Sequence, residues 1–461
     1  MSSKFCTIVA VFSLACAAFA VGEFDRALLH GETNRERATE YAPGETIAFT
    51  LSLQRVEKLP AEPHFIKWTL QGDGGERRDG REPVSLEKPL VLTTKLDRPG
   101  FVRLTANLVD EKGKVVRRAS SAKAREARVF FEGGAAVQPE KLQGVPEPAD
   151  FDAFWSKQKA ELAAVPFKGL VKLEKKPSKG GVEVYAVEIP CAGPRPVTGH
   201  ITIPVGAKQG KTYPARLTVD GYNGNLRSWE QAPTGGPGGE IRLHINAHGY
   251  DLGKDREYYA EFAKRISSHG QTYALAAEEH PEAKGCYFEG MTWRVMRALD
   301  YLKSRPEWNG RDLIVSGGSQ GGLQTVWAAG LDPQVTRALP GVPWCCDMGG
   351  NATLGRVKKN WGVAWTPAMG YYDPVNLAKR VAKTCHVEIT RAGLGDYTCP
   401  PSGVAILYNN LPCPKKINWV QGSTHGYVPP EPHQAYSCTG NGWREGRSAF
   451  SASSRAFDGN R

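Results

Sequence analysis

Ser319 stands among glycines in "GGSQGG", residues 317–322, after the apolar run "DLIVS" and before the helix-compatible "LQTVWAAG". Gly317, Ser319 and Gly321 have the G-x-S-x-G spacing that lifts a serine off a strand end on a sharp turn. The flanking glycines let strand and helix approach where side chains would collide. The same residues also fit a plain tight turn, so the choice rests on partners. A serine hydroxyl attacks a carbonyl only with an adjacent base that a third group orients. The chemistry offered is acyl transfer.

In the chain order of α/β-hydrolases the acid and then the histidine follow the serine. Three histidines do so: His386, His425 and His433. His386 lies within the strand-like "CHVEIT", and His433 in the proline-rich "PPEPHQAY". His425, in "VQGSTHGY", follows a strand and can swing over the carboxyl edge of a sheet, where such folds bind ligands. For the acid, Asp396 in "EITRAGLGDYTCPP" leaves a strand in the same direction. Asp347 after "WCC" and Asp373 before Pro374 compete, the latter with the look of a cap. One oxyanion donor is expected from the Gln320 N–H, next after the nucleophile. The other is expected from Tyr222 N–H in "LTVDGYNGN", where a strand turns sharply.

The elements that must position these groups change character along the chain. Residues 21–138 read as short alternating strands between Pro, Gly and Asp turns, among them "GETIAFTLSL", "HFIKWTLQG" and "EARVFFEG". In "FVRLTANLV", Val102, Leu104, Ala106 and Leu108 share one face. This is the grammar of an all-β, immunoglobulin-like sandwich. Its "HFIKWTL" aromatics belong to a core or, alternatively, stack on sugars. Residues 139–150 shift to Gly, Pro and acidic residues and read as a linker. From 151 to 440, strands alternate with helices, the pattern of an α/β domain with a mainly parallel sheet. "DFDAFWSKQKAEL" is an amphipathic helix. "MTWRVMRALDYLKSRPEW" puts Met291, Val295, Leu299 and Leu302 at helical spacing. "GHITIPV", "ARLTVDGY", "IRLHINAHGY", "TYALAAEE", "DLIVSGG", "CHVEITRAG" and "KINWVQG" are strand candidates, and "SGVAILYNNL" a helix. Residues 441–461 form a tail.

The whole has 461 residues, 41% of them hydrophobic and 23% charged, enough for a full core. Lys4 precedes the apolar "FCTIVAVFSLACAAFA", which ends on Ala18-Phe19-Ala20. Residues 1–20 therefore read as a signal peptide, and the mature chain is expected to be exported without stable membrane insertion. Formal net charge is +11. The basic "KGKVVRRASSAKAREAR" reads as an exposed hairpin rather than a nucleic-acid surface, since no aromatics interleave. Eight cysteines lie beyond the leader. Export permits disulfides, but spacing does not assign pairs. No paired CxxC suggests a structural zinc, and no metal or cofactor is expected.

Taken together, "RPVTGHITIP", "DGYNG", "RALDYLKSRPEWNGRDLIVSGGSQGG", "GLGDYTCPP" and the later "HG" resemble the acetyl xylan esterases and cephalosporin C deacetylases of carbohydrate esterase family seven. The resemblance runs from about Pro146 to Tyr436. It implies an α/β-hydrolase that deacetylates xylo-oligosaccharides and other small acetylated compounds, a possible homo-oligomer that requires no metal. It also implies Ser319 as nucleophile, Asp396 as acid, His425 as base, and the Gln320 and Tyr222 N–H groups as the oxyanion hole. "DGYNG", "INAHGYDLG" and "PWCCDMGGN" depart in part from the family wording and are expected to line or cap the acyl and leaving-group pockets. Two rivals remain: an oligopeptidase-like or lactone-hydrolysing enzyme with the same triad, and an inert carbohydrate-binding protein.

Overall fold

In a computed structural model of the chain, the described residues are 24–118, 127–222, 224, 226–234, 239–359 and 361–440. Residues 1–20, read above as a signal peptide, residues 119–126 of the basic segment and residues 441–461 lie outside them.

The first seven strands are β1 (Leu28–Thr33), β2 (Ile47–Gln54), β3 (His64–Gly72), β4 (Arg77–Pro83), β5 (Leu90–Thr94), β6 (Gly100–Asp110) and β7 (Phe130–Val137). They pair antiparallel into a three-stranded sheet, β1-β2-β5, and a four-stranded sheet, β4-β3-β6-β7. In β2 every second residue is buried, so Ile47, Phe49, Leu51 and Leu53 line the core while the residues between them stay half in solvent. That period of two is what a strand with one wet face requires. Val102, Leu104, Ala106 and Leu108 of β6 are buried together as well. Trp68 of β3 lies against Gly80, where a Cβ would collide with its ring, while Ile66 and Leu70 enter the core.

The rest of the chain forms α1 (Phe151–Ala163), β8 (Lys172–Lys179), β9 (Val182–Ile189), β10 (Val197–Pro204), β11 (Tyr213–Val219), β12 (Ile241–Ile245), α2 (Arg256–Ile266), α3 (Tyr287–Lys303), β13 (Trp308–Gly318), α4 (Gln320–Leu331), β14 (Arg337–Gly341), α5 (Gly350–Leu354), α6 (Pro374–Ala378), β15 (His386–Gly393), α7 (Pro401–Asn410), β16 (Lys415–Val420) and β17 (Ala435–Thr439). Its ten strands make one sheet in the order β17-β16-β15-β14-β13-β11-β12-β10-β9-β8. The six from β12 to β16 are parallel, and antiparallel strands close both ends. This is the mixed sheet of an α/β-hydrolase, with β13 and α4 near its middle. Helix α4 is buried almost throughout, and Met291, Val295, Leu299 and Leu302 of α3 are fully buried. Burying each such aliphatic side chain contributes roughly 1.5–3 kcal/mol.

One strand expectation fails. "TYALAAEE" forms turns and a short 3-10 segment, Ala277–Glu279, instead of a strand. Ala274 adopts φ 62°, a left-handed conformation that breaks extended pairing. The residues are apolar because Tyr273, Ala274 and Ala276 pack inside the site wall, not because they join the sheet. Strands β8, β9, β14 and β17 were not signalled by the pattern.

The two sheet systems share one continuous core, in which Phe101 of β6 meets Trp419 of β16 with ring centroids 5.9 Å apart. Residues 139–150 run along this contact. Leu142 is buried, and the Val145 N–H donates to Asp347 Oδ1 at 3.0 Å. Among the described residues no helix is long and apolar enough to cross a membrane.

Candidate active site

Ser319 sits between β13 and α4 with φ 58° and ψ −119°, a strained region for a residue carrying a Cβ. Three hydrogen bonds hold it there. Its N–H donates to Gly341 C=O at 2.9 Å, and its C=O accepts from the Leu323 N–H at 3.0 Å and the Trp344 N–H at 3.1 Å. The neighbouring glycines are required by contact. A Cβ on Gly321 would lie 2.4 Å from Val219 O, and one on Gly317 would lie 2.6 Å from the same atom. The elbow thus needs glycines because the end of β11 passes directly beneath it.

The loops leaving β15 and β16 converge on the serine. His425 Nε2 lies 2.9 Å from Ser319 Oγ, and His425 Nδ1 lies 2.9 Å from Asp396 Oδ2. Asp396 is 1% exposed. Its Oδ1 accepts from the Thr398 and Cys399 N–H groups, each at 3.1 Å, so Oδ2 is the atom left for the imidazole. That arrangement draws the ring proton to Nδ1 and leaves Nε2 as acceptor for the serine hydroxyl. Arg391 fixes the other side of the loop by donating to His425 C=O at 3.0 Å.

The remaining candidates from the sequence lie elsewhere. His386 begins β15 and is exposed at the opposite edge of the sheet. His433 is half-buried in the loop before β17. Asp347 pairs with Arg356 at 3.0 Å. Asp373 caps α6 and accepts from the Asp347, Met348 and Val375 N–H groups, and burial beside Asp347 pushes its carboxyl up to about 7.

The expected oxyanion donors flank the nucleophile. Gln320 begins α4, where N–H groups have no partner within the helix. Its side chain is fixed by the Tyr273 hydroxyl, which donates to Oε1 at 2.8 Å. Gly221 lies so close to the elbow that a Cβ on it would be 3.9 Å from Ser319 Cβ, and Tyr222 follows it. Neither the Tyr222 nor the Gln320 N–H donates to a described residue. The Tyr222 ring stacks on Tyr273 at 4.4 Å, and its hydroxyl donates to Tyr273 C=O at 2.6 Å. Burial raises that phenol far above its usual range, so it stays neutral and serves as a brace.

Residues that sequence reasoning passed over hold the loops of the histidine and the acid from behind. Gly134 of β7 exchanges two hydrogen bonds with the Gln421 side chain, at 2.8 and 2.9 Å. A Cβ on Gly395 would lie 1.9 Å from Glu132 O. The first seven strands therefore press on the loops that carry Asp396 and His425. The glycines of "GLGD" were the available signal, but their partner is remote in sequence. Cys399 is the other addition, with Sγ 3.6 Å from His425 Nδ1. Burial raises its thiol well above the usual range. Asp396, Cys399 and His425 offer ligand atoms within 4.8 Å of one another, and two of the three, Asp396 and His425, are already joined in the hydrogen-bond chain to the serine. All eight described cysteines are thiols.

A serine, imidazole and carboxylate in series, with the Gln320 and Tyr222 backbone N–H groups next to the elbow in the chain and the fold, are the parts of nucleophilic acyl transfer. Residues 141–363 and 359–438 match the family described as acetyl xylan esterase (AXE1). The acetyl esterase Axe7A of Xylanibacter ruminicola is 30% identical over 278 residues, which cover 58% of this chain and 61% of that protein. The match thus spans less than two thirds of that relative's length. An acetyl xylan esterase from Paenibacillus sp. R4 superposes with a TM-score of 0.51 at 25% identity, covering 63% of this chain and 94% of the other. Acetyl xylan esterase 1 from Thermoanaerobacterium sp. JW/SL YS485 has the same TM-score at 21% identity, over 64% and 94%, a likeness of fold.

Proposed function

The chain belongs to the acetyl xylan esterase family, a family of carboxylic ester hydrolases, and we propose from that premise that it is a serine esterase removing acetyl groups from acetylated xylan, xylo-oligosaccharides or other small acetylated sugars. The observation that carries the reading is the unbroken chain from Asp396 through His425 to Ser319, two contacts of 2.9 Å at the carboxyl edge of the sheet.

In this mechanism Ser319 Oγ attacks the acetyl carbonyl carbon while His425 Nε2 takes the hydroxyl proton. Asp396 holds the imidazole in the competent tautomer and stabilises its positive charge. The carbonyl π electrons move to oxygen, which accepts from the Gln320 and Tyr222 N–H groups. Each such donor contributes about 3–4 kcal/mol to the transition state. Collapse breaks the ester C–O bond, and the sugar alkoxide leaves with the proton from His425. Water, deprotonated by the same imidazole, then releases acetate and restores the serine.

Two further readings go with the proposal. The first seven strands are an immunoglobulin-like sandwich, supported by two antiparallel sheets around one core. Residues 1–20 are a signal peptide, so the enzyme works outside the cytoplasm on plant polysaccharide.

Acetate release from acetylated xylo-oligosaccharides tests the activity, with a lactone and a peptide substrate alongside. Wild-type acetate release that Ser319→Ala reduces at least 10⁴-fold, without a change in melting temperature, is the expected result. Near-normal turnover by Ser319→Ala would remove the nucleophile. Cleavage of only the lactone or only the peptide would replace the substrate class.

A further inference from the structure

Beside the nucleophile, three separate segments build one aromatic wall. Trp344, whose N–H holds Ser319 C=O, and Trp361 both meet the Tyr222 ring edge-on at 5.2 Å. The two indoles stack on each other at 5.5 Å with 24° between their planes. Their exposure separates their roles. Trp344 is 2% exposed and belongs to the core, whereas Trp361 is 42% exposed. An open cleft runs past it, lined also by Asn351, Lys358 and Thr398, the last two residues from Asp396.

The position of Trp361 is set from both sides. Ahead of it, the Gly74 N–H donates to Gly355 C=O at 3.1 Å and the Lys359 N–H to Tyr397 C=O at 3.0 Å. Asp73, which is 7% exposed, bridges the two parts of the molecule. Its Oδ1 accepts from the Val357 N–H at 2.9 Å and its Oδ2 from the Phe101 N–H at 3.0 Å. Behind Trp361, the Ala364 N–H donates to Leu275 C=O at 2.9 Å. The tryptophan is thus fixed at the rim of the site by hydrogen bonds, and those on its leading side come partly from the N-terminal strands.

We infer that Trp361 is the platform on which a xylopyranose ring of the leaving group stacks, and that Asp73 is the positioning residue that sets it there. The inference rests on the esterase reading and names a specificity element within it. One face of a pyranose presents C–H groups, which suit the π face of an indole, while its edge carries hydroxyls that need polar partners. The cleft supplies both, since Asn351 and Lys358 line it together with Trp361. A small synthetic ester has no second ring to place there.

The test compares kcat/KM for acetylated xylotetraose with that for ethyl acetate, whose leaving group carries no ring, in wild type, Trp361→Ala, Trp361→Tyr and Asp73→Ala. Trp361→Ala is expected to lower the ratio of the two values at least tenfold, with the loss in KM for the oligosaccharide. Trp361→Tyr should recover most of it, and Asp73→Ala should lower the ratio in the same sense. An equal change on both substrates, or none, overturns the inference. Titration calorimetry with xylotetraose on Ser319→Ala and on Ser319→Ala/Trp361→Ala separates this outcome from failure of the esterase reading. At least tenfold weaker binding in the double variant supports the platform whatever ester is cleaved. Equal affinity, or no binding to either, overturns it.

Discussion

Replacing Asp396 by asparagine isolates the orienting role of the acid, because the geometry dictates which way the amide must face. Oδ1 of Asp396 accepts two backbone N–H groups in a site that is 1% exposed. An asparagine that keeps its oxygen there turns its NH₂ toward His425 Nδ1. Nδ1 must then accept, the ring proton moves to Nε2, and Nε2 loses the lone pair that takes the Ser319 proton. The flipped amide restores the tautomer but leaves two buried N–H donors facing an NH₂. Each unsatisfied donor costs about 1–3 kcal/mol, so the competent orientation lies about 2–6 kcal/mol higher. At ~1.4 kcal/mol per decade, kcat should fall about 30-fold to 10⁴-fold before the lost negative charge is counted. The assay is kcat on 4-nitrophenyl acetate at neutral pH, beside a thermal melt. A loss smaller than tenfold in a protein that melts like wild type would refute the tautomer argument, and with it the place of Asp396 in the chain.

Two predictions probe the frame around the site. Gly395→Ala should cut kcat roughly 100-fold, since relieving a 1.9 Å contact with Glu132 O must shift the adjacent Asp396 by about an ångström; unchanged kcat would mean that the N-terminal strands do not set the acid loop. His200 and His248 are both held down to about 3, chiefly by burial. Their folded values lie below the unfolded one, so the stability they confer is present above about pH 6.5 and is lost as pH falls toward 3. Within that window each removes about 1.4 kcal/mol per pH unit. Asp373, raised to about 7, works in the opposite sense, so the readout is a difference. His200→Leu should lose less stability than wild type between pH 7.5 and 5 in urea melts, and an identical loss would contradict the assignment.

Much of the site was legible in the chain because its chemistry is local. The elbow glycines, the serine between them and the strand–turn–helix around it lie within eighteen residues, and their order relative to Asp396 and His425 follows from a parallel sheet whose loops leave one edge. The period of two in β6 and the helical spacing of Met291, Val295, Leu299 and Leu302 were equally direct, since each pattern reports burial of one face. "TYALAAEE" misled because an apolar run announces burial without saying what covers it. Ala274 turns left-handed, and Tyr273 serves as the floor under Tyr222.

Tertiary structure alone decided what lies across the chain. Asp347, Asp373 and Asp396 all follow strands or turns in the sequence, and only packing assigned the first to Arg356, the second to a helix cap and the third to His425. The sequence by itself was enough to single out Ser319, Asp396 and His425 as candidates for acyl transfer, and their order, because those rules act over a few residues. The folded chain determined that the N-terminal strands brace the loops of Asp396 and His425 through Glu132 and Gly134 and hold the segment before Trp361 through Asp73, with partners up to 287 positions away. No local pattern encodes such pairs, because their energy comes from surfaces that exist only after both sheets have formed.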